Sequence, residues 1–203
     1  MKPLVKIAAQ VNLKDAVILL LEPNLQGMAI LTQIMMGFGS KRLLKAETYS
    51  QAKTLIETNV VDLIITESAL RAADEPDGYD FVHWLRRSQL EPNAYAPVLV
   101  ASSHTSLLNV SRARDCGATF FITEPLAPTV MLDRILWMAR ENRPFVGCAT
   151  YVGPDRRFKN VGPPVGSHGR RSTDLPAEVG AAVAPNMSQD EIDSLMTPQR
   201  ANA

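Results

Sequence analysis

Along the first 143 positions, apolar residues fall into short unbroken runs separated by stretches in which they recur every three or four residues. Val17-Ile18-Leu19-Leu20-Leu21 is a run of the first kind, too short for an isolated helix and stopped by Glu22 and Pro23, and it predicts a strand covered on both faces. Leu25, Met28, Leu31 and Met35 follow at helical spacing, and Gly37 and Gly39 end that pattern. Arg42 to Ala46 predicts a weak second strand, after which Ser50 caps a helix carrying Ala52, Leu55 and Ile56. Val60 to Thr66 predicts the third strand. A polar loop from Glu67 to Asp77 leads to a helix opened by Gly78 and carrying Phe81, Val82, Trp84 and Leu85. Pro97 to Ser102 predicts the fourth strand, Thr105 to Asp115 a helix stopped by Gly117, and Thr119 to Ile122 the fifth strand. Pro125 and Pro128 start a last helix whose inner face holds Met131, Leu132, Ile135, Leu136 and Met138.

Five strand-helix units in succession predict an α/β fold, a doubly wound parallel sheet with right-handed crossovers and helices on both faces. Ligands of such sheets gather at the C-terminal ends of the strands. That rule selects Glu22, Pro23, Glu67, Ser102, Ser103 and Glu124 as the pocket.

Composition changes this picture beyond residue 143. Residues 144 to 203 hold 7 of the 14 prolines and 6 of the 11 glycines of a 203-residue chain, so the core is expected to end near Pro144. The expected organisation is an N-terminal extension (1–15), a globular domain (16–143), a flexible linker rich in Arg, Gly and Pro (144–186), a short amphipathic helix motif (187–197) and a disordered end (198–203). Twenty-one basic and 21 acidic side chains give a formal charge of zero, which argues against general coating of DNA. The zero hides an asymmetry, because residues 140–171 carry a net +5 and residues 172–199 a net −5. No apolar run approaches the ~20 residues of a membrane helix, and the N-terminus lacks a secretory h-region, so a cytoplasmic location is expected. Two cysteines, Cys116 and Cys148, make neither a disulfide framework nor a four-ligand zinc site, and both are read as reduced.

ILLLEPN at the first strand, DLIITES at the third, Asp77-Gly78, PVLVASS at the fourth and GATFFITEP at the fifth together resemble the receiver domain of two-component response regulators, of which CheY is the single-domain form. The resemblance covers about residues 16 to 142. It implies a flavodoxin-like (βα)5 domain whose strands run in the order 2-1-3-4-5, and a place in bacterial phosphorelay-type signalling. Residue by residue, the family's acidic pair corresponds to Glu22 and Pro23, its phosphoacceptor Asp to Glu67, its hydroxyl residue to Ser102, its switch aromatic to Phe121 and its conserved Lys to Glu124. Transfer of a phosphoryl group requires a metal and a cation around an in-line carboxylate. Glu67 is a methylene longer than Asp, Pro23 has no ligand atom and Glu124 reverses a charge, so the resemblance is to a degenerate pseudo-receiver. No acyl-phosphate, catalytic residue, metal or required cofactor is expected. Three readings of Glu22, Glu67 and Glu124 remain open: a mimic of the phosphorylated state through Glu67, an oxygen site for a hard cation, and a solvent-open rim whose carboxyls repel one another.

Two arginine pairs stand in the tail, Arg156-Arg157 in GPDRRFK and Arg170-Arg171 in GSHGRRS. Guanidinium forks beside glycine suit phosphates and stack on purines. The repeat resembles the arginine-rich tails of CheY-like proteins that bind cyclic di-GMP, which implies that nucleotide second messenger as a ligand, with Tyr151 for stacking and Asp155 as a guanine-edge acceptor. A solvated charge run and a loose nucleic-acid contact remain the alternatives. Further on, MSQDEIDSLM predicts a capped helix, with Ser188 and Glu191 as its capping box and Met187, Ile192, Leu195 and Met196 on one face. Such a length does not hold a helix alone. The segment is similar to the N-terminal peptide of the flagellar switch protein FliM, with Ser188, Gln189, Glu191, Ile192, Asp193 and Leu195 at the specified positions. The resemblance implies docking on a face made by the fourth helix, fifth strand and fifth helix, either of this chain or of a separate CheY-type receiver.

No GxGxxG, GxxxxGK[ST] or HExxH pattern occurs, and His83 and Cys116 read as surface and packing residues, so an enzyme is not expected. The expected role is a non-catalytic signalling protein with protein partners, connected with motility or chemotaxis. Its rivals are a receiver phosphorylated at a non-standard carboxylate, an adaptor with no nucleotide ligand, and a small hydrolase on the same scaffold.

Overall fold

A strand covered by helices on both sides has to be apolar at consecutive positions, and β1 (Val17–Leu21) buries all five of its side chains. The computed structural model describes residues 13–70, 76–140, 143–156 and 186–196. After β1 come α1 (Leu25–Gly37), β2 (Arg42–Ala46), α2 (Tyr49–Thr58), β3 (Leu63–Glu67), α3 (Gly78–Arg87), a 3-10 turn (Asn93–Tyr95), β4 (Val98–Ser102), α4 (Leu107–Cys116), β5 (Phe120–Thr123) and α5 (Pro128–Arg140). The first five strands form one parallel sheet in the order β2-β1-β3-β4-β5, the flavodoxin-like arrangement expected from the sequence. In register, Leu19 lies beside Leu44 and Ile64, and Val100 beside Phe121, so the central strands present unbroken apolar layers to the helices. Fully buried Phe81, Phe121, Leu31, Met35 and Ile56 close those layers.

The boundaries differ where side chains compete with the ladder. Residues 60–62 do not join β3. Val61 N–H donates to Asn93 Oδ1 (3.0 Å), Asp62 N–H donates to Val17 O (2.8 Å), and Val17 N–H donates to Asp62 Oδ2 (2.8 Å). Asn93 completes this seam by donating to Ile56 O (2.8 Å) and Asn59 O (2.7 Å). The cap of α2 is Thr48, whose hydroxyl accepts from Gln51 N–H (3.2 Å), rather than Ser50, which lies inside the helix. The domain also reaches back to Leu13, which is buried in the core.

The largest correction concerns the linker expected from Pro144. Residues 145–154 instead form an antiparallel hairpin, β6 (Phe145–Gly147) and β7 (Val152–Pro154), packed on the domain. Phe145 meets Tyr95 edge to face (5.1 Å between centroids) and lies under Arg86 (5.0 Å). Arg86 is itself 4% exposed and donates to Gly117 O, Ala94 O and Ala96 O, so it ties α3 to the end of α4 and to the 3-10 turn while lying over Phe145 of the hairpin. Gly117 ends α4 with φ +98°, and β7 approaches it so closely that a Cβ there would stand 2.5 Å from Val152 O. Gly153, read as a sign of a linker, serves here for close backbone packing, since a Cβ on it would stand 2.8 Å from Gly117 Cα. A last helix, α6 (Gln189–Met196), lies against the α4–β5–α5 side of the sheet.

Candidate functional site

Each carboxylate of the acidic pocket is delivered by the C-terminal end of a different strand. Glu22 follows β1, is 5% exposed and accepts Asn24 N–H on Oε1 (2.7 Å). It fits because residue 27 is glycine, where a Cβ would stand 2.7 Å from Glu22 Cδ. Glu67 ends β3 and folds back on its own loop, its Oε1 accepting from Ser68 N–H (2.8 Å), Ser68 O–H (2.9 Å) and Ala69 N–H (3.2 Å). The N-terminus of α3 is drawn against the same turn, since Gly78 N–H donates to Ser68 O (3.0 Å) and a Cβ on Gly78 would stand 2.0 Å from Glu67 O. Glu124 follows β5. One carboxylate oxygen from each of Glu22, Glu67 and Glu124 lies within 4.8 Å of the others.

The Glu124 carboxyl is pushed up to about 7, first by burial and then by the charges of Glu67 and Glu22. Of the solvent-open rim of mutually repelling carboxyls expected from the sequence, Glu67 and Glu124 are half-buried and Glu22 is buried, and for Glu124 desolvation precedes the repulsion. The proton of Glu124 is thereby held more tightly than that of an ordinary carboxyl. The donor set, three carboxylates, is of the kind a hard cation takes. Ser102 is fully buried, 2.7 Å from the Ser68 hydroxyl, and accepts His104 N–H (3.0 Å). Phe121 is fully buried in the sheet, and Pro23 caps the end of β1 without a ligand atom.

Of the residues selected in the tail, Tyr151, Asp155 and Arg156 fall on the hairpin; Arg157, Arg170 and Arg171 lie outside the described residues. The Arg156 guanidinium stacks on the Tyr151 ring (3.8 Å to the centroid) and pairs with Asp115 (2.9 Å). Tyr151 O–H donates to Pro154 O (2.8 Å). Asp155 is 8% exposed, which withdraws it from the surface where a guanine edge would reach it, and its backbone N–H donates to Pro144 O (2.7 Å). Beside the hairpin is a cavity of about 390 Å³, walled by Tyr95, Trp137, Phe145 and Arg143.

The third group is assembled by α6. Ser188 and Glu191 form reciprocal bonds at its start, with Ser188 N–H donating to Glu191 Oε2 (2.8 Å) and Glu191 N–H to Ser188 Oγ (3.4 Å). Those bonds hold the Glu191 carboxyl below its usual range. Ile192 (0% exposed) and Met196 are buried against the sheet, and Met187 and Leu195 pack at the margin. Gln189 reads the free edge of β5: its Oε1 accepts Thr123 N–H (3.0 Å) and its Nε2 donates to Phe121 O (3.3 Å) and Asp193 Oδ1 (2.8 Å). Met187 N–H donates to Thr105 O (2.8 Å), and Thr105 O–H returns a bond to Met187 O (3.0 Å). Asp193 pairs with Arg134, which lies over the Phe120 ring, and Arg143 donates to Met196 O (3.3 Å). The receiving residues Thr105, Thr123, Arg134 and Arg143 carry no sequence pattern of their own. Only the apolar face and acidic character of α6 hinted that basic residues would meet it.

No family model matches the chain, and no curated protein does. Among solved structures the chain is similar to a CheY-like response regulator receiver domain from Methanospirillum hungatei (19% identity over 61% of this chain and 92% of that one, TM-score 0.53). It is also similar to the signal receiver domain of a histidine kinase from Syntrophus aciditrophicus (24% identity, 66% and 98% covered, TM-score 0.53). A third likeness is to the chemotaxis protein CheY4 of Vibrio cholerae (18% identity, 60% and 97% covered, TM-score 0.54). The domain has the receiver fold.

Proposed function

We propose that this chain is a non-enzymatic signalling module, a pseudo-receiver that keeps the receiver scaffold without its phosphoryl chemistry and acts through its C-terminal region. The observation that carries this reading is Glu124. A phosphoryl group arriving at Glu67 would meet a third carboxylate within 4.8 Å, already held at about 7 by burial and like charge. A site built to receive phosphate places positive charge where the oxyanions develop. A protein of this kind works by binding other proteins of a bacterial signalling pathway. One solved relative in fold is named a chemotaxis protein, which supports motility or chemotaxis as the setting.

In the same reading the ligand is cyclic di-GMP, taken by Arg156, Arg157, Arg170 and Arg171. Arg156 already rests on an aromatic ring, the stacking mode a guanine would replace or extend. The cavity beside the hairpin adds aromatic walls and Arg143. The FliM-like peptide of Ser188 to Leu195 supplies the protein-binding element.

Acetyl phosphate with magnesium should leave the intact mass of the full chain unchanged. A stoichiometric, hydroxylamine-labile adduct would overturn the pseudo-receiver reading. Calorimetric titration of cyclic di-GMP should give heat with the full chain and none with the Arg156→Ala/Arg170→Ala variant. Equal heats for the two chains would remove the arginine pairs as the site.

A further inference from the structure

The cavity beside the hairpin lies at the opposite end of the sheet from the three carboxylates. Pro97 and Thr119 immediately precede β4 and β5, so one wall is made by the N-terminal ends of those strands, whereas Glu67 ends β3 and Glu124 follows β5. Trp137 and Met138, in the last turn of α5, make a second wall, and Phe145 and Pro154 of the hairpin a third. The cavity therefore exists only because residues 143–154 fold back on the domain. Its rings are held at fixed angles: Trp137 stands edge to face with Phe120 (5.0 Å between centroids), as Phe145 does with Tyr95. A volume of about 390 Å³ falls within the range of roughly 300–1,000 Å³ for small-molecule sites.

The chemistry of the walls is one-sided. Tyr95, Trp137 and Phe145 give flat apolar surfaces, and among the described residues no acidic side chain lines the cavity, while one cation does. That cation, Arg143, has its guanidinium over the Trp137 ring (4.5 Å), so a positive charge is presented beside an aromatic face. Buried Arg86, over the Phe145 ring, adds a second positive charge whose bonds go to backbone carbonyls. On the strand wall the Thr119 hydroxyl oxygen accepts Val98 N–H (3.0 Å). Glu91 meets Tyr95 only through the hydroxyl at the exposed end of that ring (3.2 Å).

From this arrangement we infer that the cavity is a ligand site for a planar aromatic monoanion, a single or fused ring system carrying one carboxylate or one phosphodiester. The ring lies among Tyr95, Trp137 and Phe145, and the negative charge is taken by Arg143. Flat walls select by shape, because aromatic faces and edges attract other rings. The guanidinium selects by charge, since an anion gains a charge-assisted bond and a cation meets only like charge. Arg143 also donates to Met196 O (3.3 Å), so the group that takes the ligand is shared with the C-terminal end of α6. This does not rest on cyclic di-GMP: one ring and one charge satisfy the walls by themselves, without the arginine pairs.

The test is a titration of the ¹⁵N-labelled full chain, followed at the indole N–H signals of its two tryptophans. Trp137 lines the cavity, and Trp84, packed on Tyr49 and Phe81, is the internal reference. Loss of one signal in Trp137→Phe assigns the pair. Three probes share one ring and differ in charge: 1-naphthoate, 1-naphthylmethanol and 1-naphthylmethylammonium. The naphthoate should shift the Trp137 signal saturably while Trp84 stays in place, and it should bind at least about tenfold more tightly than the ammonium, with the alcohol between them. Arg143→Leu should weaken naphthoate by about tenfold or more and bring the three probes together. The charge series on the wild-type chain decides the matter even if that variant does not fold. Equal affinity for naphthoate and the ammonium would overturn the proposal, as would a shift that does not saturate at about millimolar naphthoate or one that moves Trp84 equally. Displacement of naphthoate by 3′,5′-cyclic AMP would place the natural ligand among nucleotides, and failure to displace it among aromatic carboxylic acids, both within the class. A chain with Arg170→Ala and Arg171→Ala should bind naphthoate as the wild type does, whatever becomes of cyclic di-GMP binding. Weakened naphthoate binding in that chain would make the cavity part of the arginine site and overturn its standing as a site of its own.

Discussion

Replacing Glu124 by Gln removes one charge from the acidic pocket while keeping nearly the same side-chain volume, and its effect should depend on pH in a definite direction. In the folded chain the Glu124 carboxyl is pushed from 4.5 to about 7 by burial and by Glu67 and Glu22. A carboxyl whose folded value is raised binds its proton more tightly in the native state than in the unfolded chain. Stability is therefore highest below about 4.5 as far as this group is concerned, declines as pH rises toward 7, and levels off above it. At about 1.4 kcal/mol for each tenfold change in proton affinity, the full effect would be about 3 kcal/mol, and screening of a partly exposed group reduces it to about 1–2 kcal/mol. The Gln variant is free of this penalty. Urea unfolding followed by far-UV circular dichroism, at constant ionic strength, should show Glu124→Gln more stable than wild type by about 1–2 kcal/mol at pH 8, with the difference shrinking toward zero at pH 5. A stability difference equal at the two pH values, or a variant less stable at pH 8, would refute the reasoning that like charge and burial strain this pocket.

Two further outcomes follow from buried groups. Asn93→Ala, which leaves Val61 N–H and the carbonyls of Ile56 and Asn59 unpaired, should lower unfolding free energy by about 2–4 kcal/mol in the same denaturation assay. A thiol reagent should modify one cysteine in the native chain and two in denaturant, because Cys116 is buried with its thiol pushed up to about 12, whereas exposed Cys148 is lowered, chiefly by its contact with the Thr150 hydroxyl. Mass mapping should place the native adduct on Cys148.

Wherever neighbours in sequence carried the information, the chain could be read directly. The unbroken apolar run Val17–Leu21, the three-and-four spacing of Leu25 to Met35 and the stop at Gly117 each encode a local choice between strand, helix and turn, and alternation of those choices is enough to specify a doubly wound sheet. The strand ends Glu22, Glu67 and Glu124 were legible for the same reason, since the topology sends all C-terminal strand ends to one edge. The hairpin was not legible. Pro154, Gly147 and Gly153 have the composition of a linker, and only the approach of Gly153 to Gly117 and of Phe145 to Arg86 shows that this stretch packs on the domain. The Glu124 proton affinity, the burial of Asp155 and the exchange of bonds between Gln189 and the edge of β5 likewise depend on groups far apart in sequence: residues 22, 67 and 124 in one case, 144 and 155 in another, 121, 123 and 189 in the third. Local pattern fixes which backbone each segment adopts, because those energies act over a few residues. Desolvation, charge repulsion and edge pairing act through space, and tertiary structure alone decided which of these side chains would meet.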